Sequence, residues 1–324
     1  MKRTLRLSPS AVLLAVCALF LSAGLTVTRA QNENASHGQD EGTGAPEIIK
    51  LAGNPHNIGA APTAGSTTKT SPIFYHNGPL ISTPTVYIIW YGNWNQANGS
   101  DTPAGQQIVT DFVNGISGSP YYSINQSYSI NGYSISGSVN NGGATTDAYS
   151  QGSTLSDSSI LTIVNSAISS GRLPYNQFGV YFVLTSSDVA ESSGFCSNYC
   201  GWHTAGSATA GHVRYSFVGN ANRCLSACAA QTVSPNSNAG VDGMISVIAH
   251  ELEEAVTDPD PRSGWADRRG AENADKCAWT FGHAQYQTAN GSWANMQLGS
   301  RNYLIQRNLL HGSNDFCMVT PTQN

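Results

Sequence analysis

The sequence predicts one domain of the α/β or α+β class, with a mixed sheet, a central apolar helix and a C-terminal half stapled by disulfides. Three observations carry that expectation. Strand-like and helix-like segments alternate from residue 84 to about 184. A long apolar helix pattern covers residues 242–257. Six of the seven cysteines fall after residue 195.

Residues 84–91 are β-branched and aromatic and are bounded by Pro84 and Gly92, so they predict a buried strand. Ile108, Val109, Phe112, Val113 and Ile116 recur at helical spacing within residues 106–116. Alternation of aromatic or aliphatic residues with Ser, Asn and Gly over 121–140 predicts a hairpin. Residues 156–170 repeat the helical pattern through Ile160, Leu161, Ile163, Val164, Ala167 and Ile168. Two further strands are expected at 179–184 and 212–218, and a late one at 302–307. The stretch 196–236 otherwise reads as cysteine-rich and irregular. In the helix over 242–257, Asp242 is the expected N-cap and Pro259 marks the end.

The N-terminus reads as a secretory signal peptide over residues 1–30. Lys2, Arg3 and Arg6 precede an apolar run, 11–25, that is short for a membrane span. Residues 31–70, rich in small and polar residues without a hydrophobic period, read as a disordered lead-in. The folded domain is expected over 71–324, and no later stretch predicts a membrane span in the mature chain. Removing Lys2, Arg3, Arg6 and Arg29 leaves eleven basic against twenty acidic residues, a net charge of −9. That balance excludes a nucleic-acid partner or an anionic membrane surface. With Cys17 gone, Cys196, Cys200, Cys224, Cys228, Cys277 and Cys317 read as three disulfides. The competing reading builds a zinc site from the two C-x3-C pairs.

The chemistry lies in His250-Glu251-Leu252-Glu253-Glu254. His250 and Glu254, four residues apart, project from one helix face, and both residue types ligate zinc. In H-E-x-x-H metallopeptidases the glutamate after the first histidine takes a proton from the water that the ion polarises. Glu251 holds that position, and Glu254 replaces the second histidine. The helix is therefore expected to be zincin-like, with His250, Glu254 and Asp275 as metal ligands and Glu272 as the second choice for the third ligand. Asp260, ten residues after His250, is a weaker alternative, because Thr257 stands where the extended motif has glycine. His203 is expected as a ligand or as a donor to the developing oxyanion. Zinc is the expected cofactor. Calcium is the alternative, held by oxygens of Asp258, Asp260, Asp267, Glu272 and Asp275. Trp90, Tyr91 and Trp94 read as strand-end core rather than a sugar-stacking platform.

Several stretches resemble the phosphate-induced protein 1, or EXORDIUM, family. They are Tyr75-His76-Asn77-Gly78-Pro79, residues 86–94, Phe195-Cys196 through Cys200-Gly201-Trp202-His203, and Val218-Gly219-Asn220 with Cys224 and Cys228. Residues 242–252, Thr257-Asp258-Pro259 and Glu272-x-x-Asp275-x-Cys277 complete the resemblance over about 71–320. It implies an extracellular or cell-wall protein, with plant members tied to cell expansion and growth signalling, and it implies no established reaction. Short loops and the lack of a glycine-rich insert resemble a microbial relative. The expectation is thus a secreted metal-dependent hydrolase acting on an extracellular peptide or a cell-wall polymer. Its alternative is a non-catalytic extracellular binding protein with a structural or calcium-holding site.

Overall fold

A computed structural model of the chain describes residues 47–50 and 72–320. The two most apolar strands lie at the middle of the sheet. β2 (Thr85–Tyr91) and β4 (Gly179–Thr185) are buried almost throughout, the pattern of strands covered on both faces. With β1 (Glu47–Lys50), β3 (Asn140–Asp147), β5 (Tyr199–Ala208) and β6 (Gly211–Gly219) they form a six-stranded sheet in the order β1-β5-β6-β4-β2-β3. β3, β2, β4 and β6 run parallel. The β5–β6 hairpin and the β1–β5 pair are antiparallel, so the sheet is mixed, as expected. The edge strand β3 reads NNGGATTD and is largely exposed, which leaves it little apolar surface to attract another strand.

Three helices cover the sheet. α1 (Pro103–Ile116) begins three residues before its apolar period, because Thr102 accepts a hydrogen bond from the Gly105 amide and Pro103 opens the helix. α2 (Asp157–Ser169) starts at a reciprocal Ser156–Ser159 capping box. α3 (Ala239–Thr257) is capped by Asn238 rather than Asp242, which lies a turn inside and accepts hydrogen bonds from the Asn236 backbone and side chain. All but two of the residues of α3 are buried. It lies against β5, β6 and α1. A Cβ at Gly201 of β5 would sit 2.6 Å from Val247 Cγ1. Glycine there lets α3 approach the strand two residues before His203.

Four expectations change. Residues 122–127 form a 3-10 turn, and only 129–130 and 133–134 pair as a short hairpin. Ser119 and Ser127 bond to neighbouring backbone, which favours the turn, while Tyr121, Tyr122 and Tyr128 supply the burial. The segment 196–236 contains β5, which its cysteines and glycines concealed. The late strand is only Arg301–Tyr303, and a separate pair joins Asn308–Leu310 to Phe316–Met318. Four residues of the expected lead-in, Glu47–Lys50, pair through their backbone with β5. The expected signal peptide over 1–30, and the rest of 31–70, lie outside the described residues.

All six cysteines are disulfide-bonded, which removes the C-x3-C zinc reading. Cys196–Cys224 and Cys200–Cys228 tie the loop before β5 and the start of β5 itself to the segment after β6. Cys277–Cys317 anchors the loop that follows α3 to the C-terminal hairpin. Each closes a loop long enough to contribute about 3–4 kcal/mol by chain entropy. No helix among the described residues is long and apolar enough to cross a membrane. The three disulfides fit an extracellular protein.

Candidate metal centre

α3 presents His250 and Glu254 on one face, and the Cys277-anchored loop brings Asp275 and Glu272 against it. β5 supplies His203 from the sheet, opposite Ser216 of β6. His250 Nε2 lies 3.0 Å from Glu254 Oε1 and 3.6 Å from Asp275 Oδ1. The Asp275 amide donates to Glu254 Oε1 at 2.9 Å. His203 Nε2 is 3.2 Å from Glu272 Oε2 and 3.7 Å from Glu254 Oε2. A tetrahedral ion bound at about 2.1 Å holds its ligand atoms about 3.4 Å apart, and these spacings bracket that value.

Burial makes the arrangement costly without a partner. His203, His250, Glu251, Glu254 and Glu272 are at most 1% exposed. The 3.0 Å contact of His250 with Glu254 lacks hydrogen-bond geometry, and neither His250 ring nitrogen has a hydrogen-bond partner. Both Glu251 oxygens are likewise without one. Orphaned imidazole nitrogens and a bare buried carboxylate, gathered in two sets of three residues that share Glu254, are groups that could hold a divalent cation. Each set includes one histidine, a ligand type that suits zinc better than calcium, which prefers an all-oxygen shell.

The electrostatics follow from this crowding. Burial, with a further push from Glu254, holds Glu251 well above the usual carboxylate range. Burial likewise lifts Glu254 to about 7, although His250 works against it. Burial disfavours a charged His250, yet Glu254 and Asp275 outweigh it and raise the imidazole well above its ordinary value. Burial and the neighbouring His250 push His203 down to about 3.

The alternative oxygen cluster is dispersed. Asp258 accepts hydrogen bonds from the backbone amides of Arg262, Ser263 and Gly264, holding the turn after α3. Asp260 pairs with His212 and Arg214 on the far end of β6, so it is not the third ligand. Asp267 pairs with Lys276. Only Glu272 and Asp275 of the five reach the centre. Trp90, Tyr91 and Trp94 are core residues, at most 6% exposed.

Sequence reasoning missed a second polar cluster on α3. Asn308 Nδ2 donates to Glu253 Oε2 at 2.5 Å, and Asn273 Nδ2 donates to the Glu253 carbonyl at 3.3 Å. Asn125 Oδ1 accepts from both asparagines. These residues lie more than a hundred positions apart at the extremes, and nothing in their local sequence marks them.

The fold and the centre define a class: a disulfide-stapled mixed α/β domain closed over a buried histidine–carboxylate cluster. The chain belongs to the phosphate-induced protein 1 family, whose conserved region matches residues 73–306. Protein EXORDIUM-like 3 of Arabidopsis thaliana is 34% identical over 272 residues, covering 72% of this chain and 78% of that protein. Protein PHOSPHATE-INDUCED 1 of Nicotiana tabacum is 29% identical over 224 residues, covering 57% of this chain and 64% of its own. No solved structure matches the chain.

Proposed function

We propose that the protein is a secreted zinc-dependent hydrolase with a zincin-like helix. The observation that supports it best is the convergence of His250 Nε2, Glu254 Oε1 and Asp275 Oδ1 beside a buried Glu251 whose oxygens have no hydrogen-bond partner. His250, Glu254 and Asp275 would hold the ion, with Glu272 close by. Zinc supplies Lewis acidity, bringing the pKa of a bound water near neutrality. Glu251 accepts the proton, and its burial beside Glu254 keeps its basicity high enough to do so. His203 faces the same centre from β5 and would steady negative charge on the substrate oxygen. An extracellular peptide is the favoured substrate, a cell-wall polymer ester the second.

One observation favours a second reading. Asp275, at 16% exposure of its side chain, is the most accessible member of the set. Two surface grooves of roughly 520 and 540 Å³ are lined by residues such as Phe74, Trp265, His311 and Arg268, and neither is lined by a residue of the centre. A closed metal site is the mark of a structural ion, and the protein would then be a non-catalytic extracellular binding module. Glu251→Gln separates the two. Under the hydrolase reading the His250-held ion stays, while chelator-sensitive cleavage of peptide or acetyl-ester substrates disappears. A wild-type protein that holds its ion tightly and cleaves none of them refutes the hydrolase and leaves the structural site.

A further inference from the structure

The two carboxylate oxygens of Glu254 face different histidines. Oε1 lies 3.0 Å from His250 Nε2, and Oε2 lies 3.7 Å from His203 Nε2. Two donor sets result. His250, Glu254 and Asp275 form one; His203, Glu251 and Glu254 form the other. Within each, one ligating atom per residue lies within 4.8 Å of the others. Glu254 is their shared member.

An ordinary hydrogen bond from His203 to Glu272, at 3.2 Å, accounts for the histidine's position but not for Glu251. Glu251 is 0% exposed, and neither of its oxygens has a hydrogen-bond partner. Among the described residues, Glu254 has ion-pair contacts only with His250 and His203, and Glu251 has none. One divalent ion at the His250 set leaves this second carboxylate pair with little to balance it.

We propose that the centre takes two divalent cations, the second bound by His203, Glu251 and Glu254 Oε2, with Glu254 as the bridging carboxylate. This rests on the first ion being held by His250, Glu254 and Asp275, and it extends that reading. Paired ions of this kind sit about 3.5–4 Å apart and clamp the attacking and departing oxygens of a hydrolysed bond. A mixed nitrogen and carboxylate shell suits zinc or manganese. Glu251 needs one oxygen for the second ion, and its other oxygen stays available for the proton.

The full chain is equilibrated with excess zinc, freed of unbound metal by gel filtration and measured by elemental analysis. Two ions per chain are expected. His203→Gln and Glu251→Gln should each reduce the count to one. A wild-type count of one, unchanged in His203→Gln, overturns the second site and leaves the first intact. A count of zero removes both. Should the variants fail to fold, electron paramagnetic resonance of the manganese-saturated wild type decides. Ions bridged by Glu254 give an exchange-coupled spectrum, and an isolated six-line signal at saturation overturns the proposal.

Discussion

Two faces of the same helix bury glutamates of a single turn in unlike ways. On one face Glu253 is fully buried, and its Oε2 accepts a hydrogen bond from Asn308 while its Oε1 has no hydrogen-bond partner. On the other face Glu251 is equally buried and meets no donor, and Glu254 meets only two imidazoles and the Asp275 amide. A buried carboxylate that the chain itself supplies with donors stitches elements together. Here Glu253 joins α3 to the 308 strand through its carboxylate and to the 273 loop through its backbone carbonyl. A buried carboxylate left bare among histidines has a structural explanation only if something outside the chain completes it. Burial alone therefore does not distinguish a stitch from a site; the supply of donors does.

Isosteric changes on the two faces test this contrast most strongly. Glu254→Gln removes the shared ligand charge, and zinc affinity should fall by more than about 100-fold, beyond the loss typical of an outer-shell change. Glu253→Gln should leave zinc affinity within about threefold, while costing about 1–3 kcal/mol of stability from the disturbed Asn308 bond. Zinc titration and thermal unfolding of both variants measure the two effects. Equal loss of zinc in both would erase the distinction between the faces.

The first face was legible in the sequence and the second was not, for a physical reason. His250, Glu251 and Glu254 share one helix, so the 3.6-residue period alone puts two of them on one side. Asp275 was reachable because Cys277 fixes its loop. The buried strands β2 and β4 announced themselves as unbroken apolar runs. In contrast, the Asn125–Glu253–Asn308 contacts join residues 183 positions apart, and no local pattern encodes such a meeting. β5 was hidden because its sequence, YCGWHTAGSA, mixes small and polar residues. Its burial comes from α3 closing over it, a tertiary effect that overrides local propensity.

A smaller effect separates the faces by pH. Glu254 sits near 7 against an ordinary 4.5, so the folded chain keeps a proton that the unfolded chain has lost. The stability this gives is complete below about 4.5 and is lost as pH rises through 7. The raised Glu251 and His250 act with the same sign. His203, near 3 against 6.5, acts oppositely, and its contribution is complete by pH 6.5. Above that pH only the falling contributions remain. The chelator-treated protein should therefore lose several degrees of Tm between pH 6.5 and 8. The zinc-loaded protein should lose far less, because the ion takes the place of those protons. Glu253 is also raised, by burial, but lies off the ion, so Glu253→Gln should flatten whatever slope zinc leaves. A chelated protein that grows more stable across this interval would contradict the assignment of the bare face.

The smallest effect concerns the acid that stands where an extended zinc motif would put its last ligand. Asp260 is ten residues after His250, yet the helix ends at Thr257 and Asp258 caps the turn that follows. The Asp260 side chain is instead held against β6. Asp260 Oδ1 meets His212 Nε2 at 2.8 Å and Arg214 Nε at 3.0 Å. Burial pushes its carboxyl up, but Arg214 and His212 outweigh that and hold it below the ordinary value. Its side chain is 31% exposed and that of His212 47%, so solvent screens much of the attraction. Asp260→Asn should therefore leave zinc content unchanged and cost about 1 kcal/mol or less, a Tm decrease of about 2–4 °C at most. Its role would be that of Glu253 in weaker form, a carboxylate satisfied by donors of its own chain. Release of zinc from Asp260→Asn would mean that the centre reaches past the end of α3, and that a carboxylate with donors of its own can still belong to the metal.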